Sequence, residues 1–273
     1  MIGDGSGGGN GDCLAGMLGY GMSTQAAVSV GPALAVVLVV LVAVAATVVI
    51  VARLGLGRDV VTASLRAVVQ LGVVSLLITA VLRTWWTTAA FIALMLVVAA
   101  TTSARRVSTL RLGWPVVLPI AAGALPVGVA VVSAGATPLR TVAVLPIAGI
   151  LIGGAMTATS LAGRRLLDEL RDRRGEYEAA LALGLLPRDA ALEVCRPVAG
   201  TALVPALDQT RTVGLVTLPG AFVGVLLGGG SVVQAGATQL LVLIALLAVE
   251  GIAAVVTLEL VAGRWLRRPS SDS

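Results

Sequence analysis

The sequence contains no lysine and no histidine, only two cysteines, and aromatic residues at 3%. Without lysine there is no phosphate loop ending in Gly-Lys-Ser/Thr and no Schiff-base nucleophile. Without histidine there is no Ser-His or Cys-His pair, no imidazole ligand for zinc, and no side chain that ordinarily titrates near neutrality. Cys13 and Cys195 are too far apart in sequence for a metal-ligand motif and too few for a disulfide framework. Charged residues make up 12% of the chain against 58% apolar, with a mean hydropathy of +1.01 over 273 residues. That composition excludes an ordinary water-soluble domain and points to a membrane.

What is present is a series of uncharged apolar stretches separated by arginines. A helix of about 20 apolar residues crosses the roughly 30 Å hydrocarbon layer. Seven stretches qualify as predicted spans: Pro32–Ala52, Ala67–Leu82, Trp86–Ala104, Pro115–Ser133, Thr141–Gly163, Thr212–Gly228 and Ala237–Val261. The expected fold is therefore an all-α, polytopic membrane bundle. With the amino terminus outside and the carboxyl terminus inside, seventeen of the nineteen arginines face the cytoplasm and only Arg83 and Arg140 lie outside. Because cytoplasmic loops collect basic residues, this partition supports both the span count and the orientation. The net charge of +5 thus reports topology, and nucleic acid is not an expected partner. Trp85, Trp86, Trp114 and Trp265 fall at predicted span ends, where indoles sit at headgroup level. The localisation expected is a multi-pass protein of the cytoplasmic (inner) cell membrane, in contact with its lipids.

Residues 1–28 are glycine-rich and read as a flexible external tail carrying Cys13; 29–263 form the transmembrane domain, and 264–273 a short cytoplasmic tail. The longest polar stretch is 164–211, with eight arginines and eight acids. Arg164 with Asp168 and Arg165 with Glu169 are spaced i, i+4, so the fifth span is expected to continue into the cytoplasm as an ion-paired extension. A helix through Glu178, Ala179 and Ala180 should stop at Gly184 in a left-handed turn. Pro187 should open another helix, expected to end before Pro197.

The run Glu178-Ala179-Ala180, Gly184, Val194 and Pro197 resembles the cytoplasmic pattern of ATP-binding-cassette (ABC) permeases, with Arg196 where that family usually has leucine. The resemblance implies a coupling helix that docks on a separate ATPase subunit. ATP and magnesium would then be held by that partner, with no cofactor on this chain and no catalytic residues. It further implies a homodimer of permeases with two ATPase chains. Arg66 to Leu71, Leu145 to Met156, Ala182 to Gly184 and Thr212 to Gly220 are similar to the FetB-type permeases of bacterial iron export and to plant permeases linked to aluminium tolerance. By that resemblance the cargo is a metal ion such as iron, moved outward. Where the family usually has Gly-Asn-Ala-Met and Pro-Gly-Met-Met, this chain has Gly153-Gly154-Ala155-Met156 and Pro219-Gly220-Ala221-Phe222, which removes polar and sulfur ligands.

Pro146, Gly149, Gly153 and Gly154 are expected to interrupt the fifth span, and Pro219, Gly220 and Gly224 the sixth. Broken helices expose carbonyls to a pathway or let neighbours pack closely. Gln70, Gln239 and Glu250 are the polar residues deepest in predicted spans. A charge at mid-membrane costs at least about 2.5 kcal/mol on insertion scales, so Glu250 should face protein or water. Three roles fit it: a cation ligand, a protonated acid, or the partner of an arginine such as Arg66. The pathway set is thus Gln70, Pro146, Gly149, Gly153, Met156, Pro219, Gly220 and Glu250. Met95 and Met156 are the only sulfurs within the predicted spans, and metal ligands are otherwise unassigned. Two other functions share this composition: an importer permease for another small solute, and an ion-coupled secondary transporter working through Glu250. The latter often has inverted repeats, which the two halves of the chain do not show.

Overall fold

The computed structural model describes residues 31–108, 113–135 and 141–267. The tail with Cys13, and Arg111, Arg140 and Arg268, lie outside the described residues. The described residues form helices and no strand, and the chain divides into two compact units, residues 1–76 and 77–273.

The first unit contains α1 (Pro32–Val51) and most of α2 (Gly57–Val81). Proline opens α1, where the missing N–H is unpaired in any helix and the fixed φ is already helical. Its twenty residues are apolar on every side, as in a helix solvated by lipid rather than amphipathic toward a core. At its end Leu54 N–H donates to the Val49 carbonyl and Arg53 N–H to Ile50, which satisfies two of the last carbonyls.

The second unit is built on α3 (Trp85–Val107), α4 (Val117–Ser133, entered through a 3₁₀ turn Trp114–Val116), α5 (Thr141–Asp172), α6 (Arg174–Ala182), α7 (Pro187–Ala199), a 3₁₀ turn Gly200–Leu203, α8 (Val204–Thr212), α9 (Gly220–Leu227) and α10 (Val232–Ala262). The two longest helices, α5 and α10, pack on each other and on α4. One buried cluster joins Ile120, Leu151, Ala155, Val249 and Ala253. Another joins Val107, Leu166, Leu192, Cys195 and Leu258. Close approach depends on small residues. A Cβ on Gly123 would lie 2.7 Å from the Val249 carbonyl oxygen, and one on Gly163 2.9 Å from Val107 Cγ1. Without a hydrophobic force between helices in lipid, such contacts and buried polar links hold the bundle. Ser160 Oγ supplies one, donating to Ser103 Oγ at 2.9 Å across α3 and α5.

Helix starts follow local chemistry. Thr84 Oγ1 accepts from Thr87 N–H at the start of α3. Ser231 and Gln234 form a reciprocal capping box at the start of α10. The four tryptophans all sit exposed at helix ends, Trp86 at 86%.

Among the described residues seven helical runs are long and apolar enough to cross a membrane, in agreement with the sequence count, but the sixth is displaced. It is Pro187–Thr212, formed by α7, the 3₁₀ turn and α8, not Thr212–Gly228. Residues 213–219 are non-helical, with Gly214 at φ +82° and Pro219 capping α9, and α9 has only eight residues. At 1.5 Å per residue that is about 12 Å, short of a crossing. The polar segment between the fifth and sixth runs therefore shrinks to 173–186. Two further expectations are corrected. Helix α5 is continuous through Pro146, Gly149, Gly153 and Gly154: Pro146 lies only six positions into it, and Met95 packs at Gly149 and Leu246 at Gly154 where side chains are missing. Helix α7 runs through Pro197 to Ala199, because Pro197 lies in its last turn, exposed, where the chain tightens into the 3₁₀ turn.

Candidate functional site

Two features of the second unit carry chemistry. The first is a cavity of about 270 Å³ walled by α5, α8 with its preceding turn, and α10. Glu250 on α10 lines it and is only 8% exposed. Its carboxylate has no hydrogen-bond or ion-pair partner among the described residues. Room for it comes from Gly154: a Cβ there would lie 3.0 Å from Glu250 Oε1 and 2.5 Å from Leu246 Cδ2. Gly153, one residue earlier on the wall, has nothing within 4 Å of a Cβ position and leaves the cavity open. Thr157 and Gln209 supply the other polar side chains. Thr157 Oγ1 donates its proton to the Gly153 carbonyl at 3.0 Å, which leaves its lone pairs available to a ligand.

The helical break places Gln209. Because Pro205 stands at the start of α8 after the 3₁₀ turn, the rotation of the chain changes there, and Pro205, Ala206 and Gln209 face α5 and α10 together.

The second feature is the turn between α6 and α7. The chain leaves α6 through Gly184 at φ +93°, a conformation that costs a side-chain-bearing residue about 1 kcal/mol or more. Leu185 N–H donates to the Ala180 carbonyl and Gly184 N–H to Leu181, closing a Schellman turn. The turn holds Leu183 at 82% exposure and leaves Leu186 exposed beside it. Around it α6 is polar: Arg174 Nε donates to Glu178 Oε1 at 2.8 Å, and Arg173 pairs with Glu169 and Glu176. The Arg173 guanidinium hydrogen-bonded to Glu176 holds that carboxyl below the usual carboxylate range, so the pair persists as pH falls toward that range.

The turn is fastened to the body below it. Arg188, second residue of α7, donates to Glu259 Oε2 on α10 at 2.6 Å. Behind it Ala190, Ala191, Leu192, Val194 and Cys195 are buried against α5 and α10. Glu259 is nine residues from Glu250 on α10, about 13 Å along the axis. The exposed turn and the cavity carboxylate are thus two ends of one packed assembly.

The residues singled out in the sequence separate accordingly. Glu178, Ala179, Ala180 and Gly184 come together at the outer turn, whereas Val194, 3% exposed, anchors α7 inward and Pro197 lies on its outer side. Of the pathway set, Gly153 and Glu250 meet at the cavity. Met156 packs beside the Leu151 cluster, and Gly149 is where Met95 Cε would lie 2.9 Å from a Cβ, so neither sulfur lines the cavity. Pro146 lies near the start of α5; Pro219 caps α9 and Gly220 begins it. Gln70 is exposed on α2 in the first unit. Gln239 is buried on α10 with its Oε1 unpaired. Sequence reasoning missed Thr157 and Gln209. The available signal for Gln209 was Pro205 four residues before it, which marks a new helix start inside an apolar run.

Among the described residues, helices without strands and seven runs long and apolar enough to cross a membrane define a multi-pass membrane protein. The chain belongs to the Uncharacterised protein family (UPF0014), whose profile matches residues 33–266. Protein ALUMINUM SENSITIVE 3 of Arabidopsis thaliana is 41% identical over 99 residues, 36% of each chain. UPF0014 membrane protein YjkA of Bacillus subtilis (strain 168) is 27% identical over 205 residues, 74% of this chain and 82% of YjkA. Probable iron export permease protein FetB of Escherichia coli (strain K12) is 33% identical over 113 residues, 41% of this chain and 44% of FetB. The matched stretch spans little more than a third of the length of the plant relative. No solved structure matches the chain.

Proposed function

We propose that the chain is the membrane-spanning permease subunit of an ABC transporter, working as a homodimer with two copies of a separate ATPase that binds ATP and magnesium. Its cargo, by likeness to FetB, is a metal ion such as iron, and the direction is export across the inner membrane. The observation that carries this reading is the turn at Gly184. It presents two apolar leucines and a charged helix outward, and it is joined through α7 and the Arg188–Glu259 pair to α10. A soluble ATPase gripping that turn would displace α7 and α10 together, and with α10 the cavity wall that carries Glu250. In the proposed orientation the amino terminus is outside and segment 173–186 cytoplasmic. Moving the sixth span to Pro187–Thr212 changes neither the number of crossings nor this assignment.

The test is co-purification. A tagged chain should retain an ATPase subunit, and Gly184→Arg, which forces a long side chain into the left-handed turn, should reduce that retention at least about tenfold, the effect of some 1.4 kcal/mol. The turn is exposed, so the variant should still elute as folded protein. Equal retention by the variant, or vesicle transport that proceeds without ATP, would overturn the proposal and favour an ion-driven transporter.

A further inference from the structure

The cavity at Glu250 has a chemistry the permease reading leaves unspecified. Its polar side chains are a carboxylate, a carboxamide and a hydroxyl; among the described residues no arginine and no sulfur lines it. An anion would meet an uncompensated negative charge, and a neutral ligand would leave that charge buried without a partner. Soft ions favour thiolate, thioether or imidazole, none of which is present on its walls. A hard cation with oxygen ligands matches all three groups. At roughly 30 Å³ per water, 270 Å³ admits an ion that keeps much of its hydration shell, so a single carboxylate and two neutral oxygens suffice. Sparse ligation also suits a transport site, which must release what it binds.

We propose that this cavity is the cargo site and takes a partly hydrated divalent cation, with Glu250 as the charged ligand and Gln209 and Thr157 as neutral oxygen ligands. Gly153 and Gly154 act by omission: the first keeps the cavity open, and the second lets the carboxylate stand inside it. Met156 and Met95 play no part. The inference rests on the permease reading for the word cargo, while the binding itself belongs to this chain alone.

The experiment uses the purified full chain in detergent, titrated with Mn²⁺, with the free ion followed by electron paramagnetic resonance. Wild type should show saturable binding of one ion per chain. Glu250→Gln should weaken it about 100-fold, as loss of a close charge pair requires, and Gln209→Leu by about threefold to tenfold, as loss of one neutral hydrogen-bonding-strength ligand requires. Gly153→Leu keeps the carboxylate but fills the cavity and should abolish binding. It provides the decision if Glu250→Gln fails to elute as folded protein. No saturable Mn²⁺ binding by wild type, or binding unchanged in both Glu250→Gln and Gly153→Leu, would overturn the site. ATPase retention is measured on the same preparations. Retention without Mn²⁺ binding defeats the cation site and leaves the permease intact; Mn²⁺ binding without retention defeats the permease reading and leaves the site.

Discussion

Glu250→Gln is expected to reduce ATP-driven cation transport about 100-fold while the ATPase subunit remains bound and the protein melts no lower than wild type. The carboxylate is 8% exposed and has no partner among the described residues, so the described fold gains nothing from its charge. Replacing it by an isosteric neutral amide removes a buried charge that only a ligand could balance, which leaves stability unchanged or raises it. A cation about 4 Å from a carboxylate gains roughly 4 kcal/mol per unit charge at an effective dielectric constant near 20, and part of this is returned as desolvation. A net loss of about 2.7 kcal/mol corresponds to the stated 100-fold. Transport into inside-out vesicles with ATP present measures the first effect and a thermal melt the second. Transport at the wild-type rate would remove Glu250 from the pathway. A melt lowered by many degrees would make it a structural group instead.

Gly123→Leu should prevent the bundle from assembling. Helices α4 and α10 meet backbone to backbone at this point, and even a Cβ would lie 2.7 Å from the Val249 carbonyl oxygen and 3.3 Å from Val249 Cγ1. A flexible side chain could turn aside, but a carbonyl inside a helix cannot. The helices must separate along a shared face that includes Ile120, Ala124, Val249 and Ala253. Overpacking in adaptable cores costs about 1–3 kcal/mol; a clash with rigid backbone at the centre of the bundle exceeds that range. The expected readout is loss of the monodisperse elution peak. Gly153→Leu, whose Cβ meets nothing within 4 Å, should elute as wild type does and so controls for glycine replacement as such. A normal peak for Gly123→Leu would show that α4 and α10 are not held this closely.

Much of this architecture is legible from the arginines and the apolar runs between them. Span ends marked by Trp85, Trp114 and Trp265 agree with the helices to within a few residues, because both depend on where a helix can leave lipid. Gly184 was readable as a left-handed stop for a local reason: a short Ala-rich helix followed by glycine admits few other endings. The sixth span was not, since a search for charge-free windows passes over α7. That helix buries Ala190, Ala191, Leu192, Val194 and Cys195 while carrying Arg188, Asp189, Glu193 and Arg196 on its outer side. Its apolar face is visible as periodicity, not as mean hydropathy. The same displacement hid Gln209, which stood in a segment read as cytoplasmic. Glu250 stood out from the sequence because a lone carboxylate deep in a span demands a partner. That Gly154 provides its space is a tertiary fact with no sequence signal.

The account depends on the Gly184 turn facing the cytoplasm, where a soluble ATPase can reach it. Leu183→Cys, at the most exposed position of the turn, in a chain with Cys13→Ser and the buried Cys195 retained, reports this directly. A membrane-impermeant maleimide should leave Cys at this position unmodified in intact cells and modify it in inside-out vesicles. Modification in intact cells would place the turn outside and contradict the account.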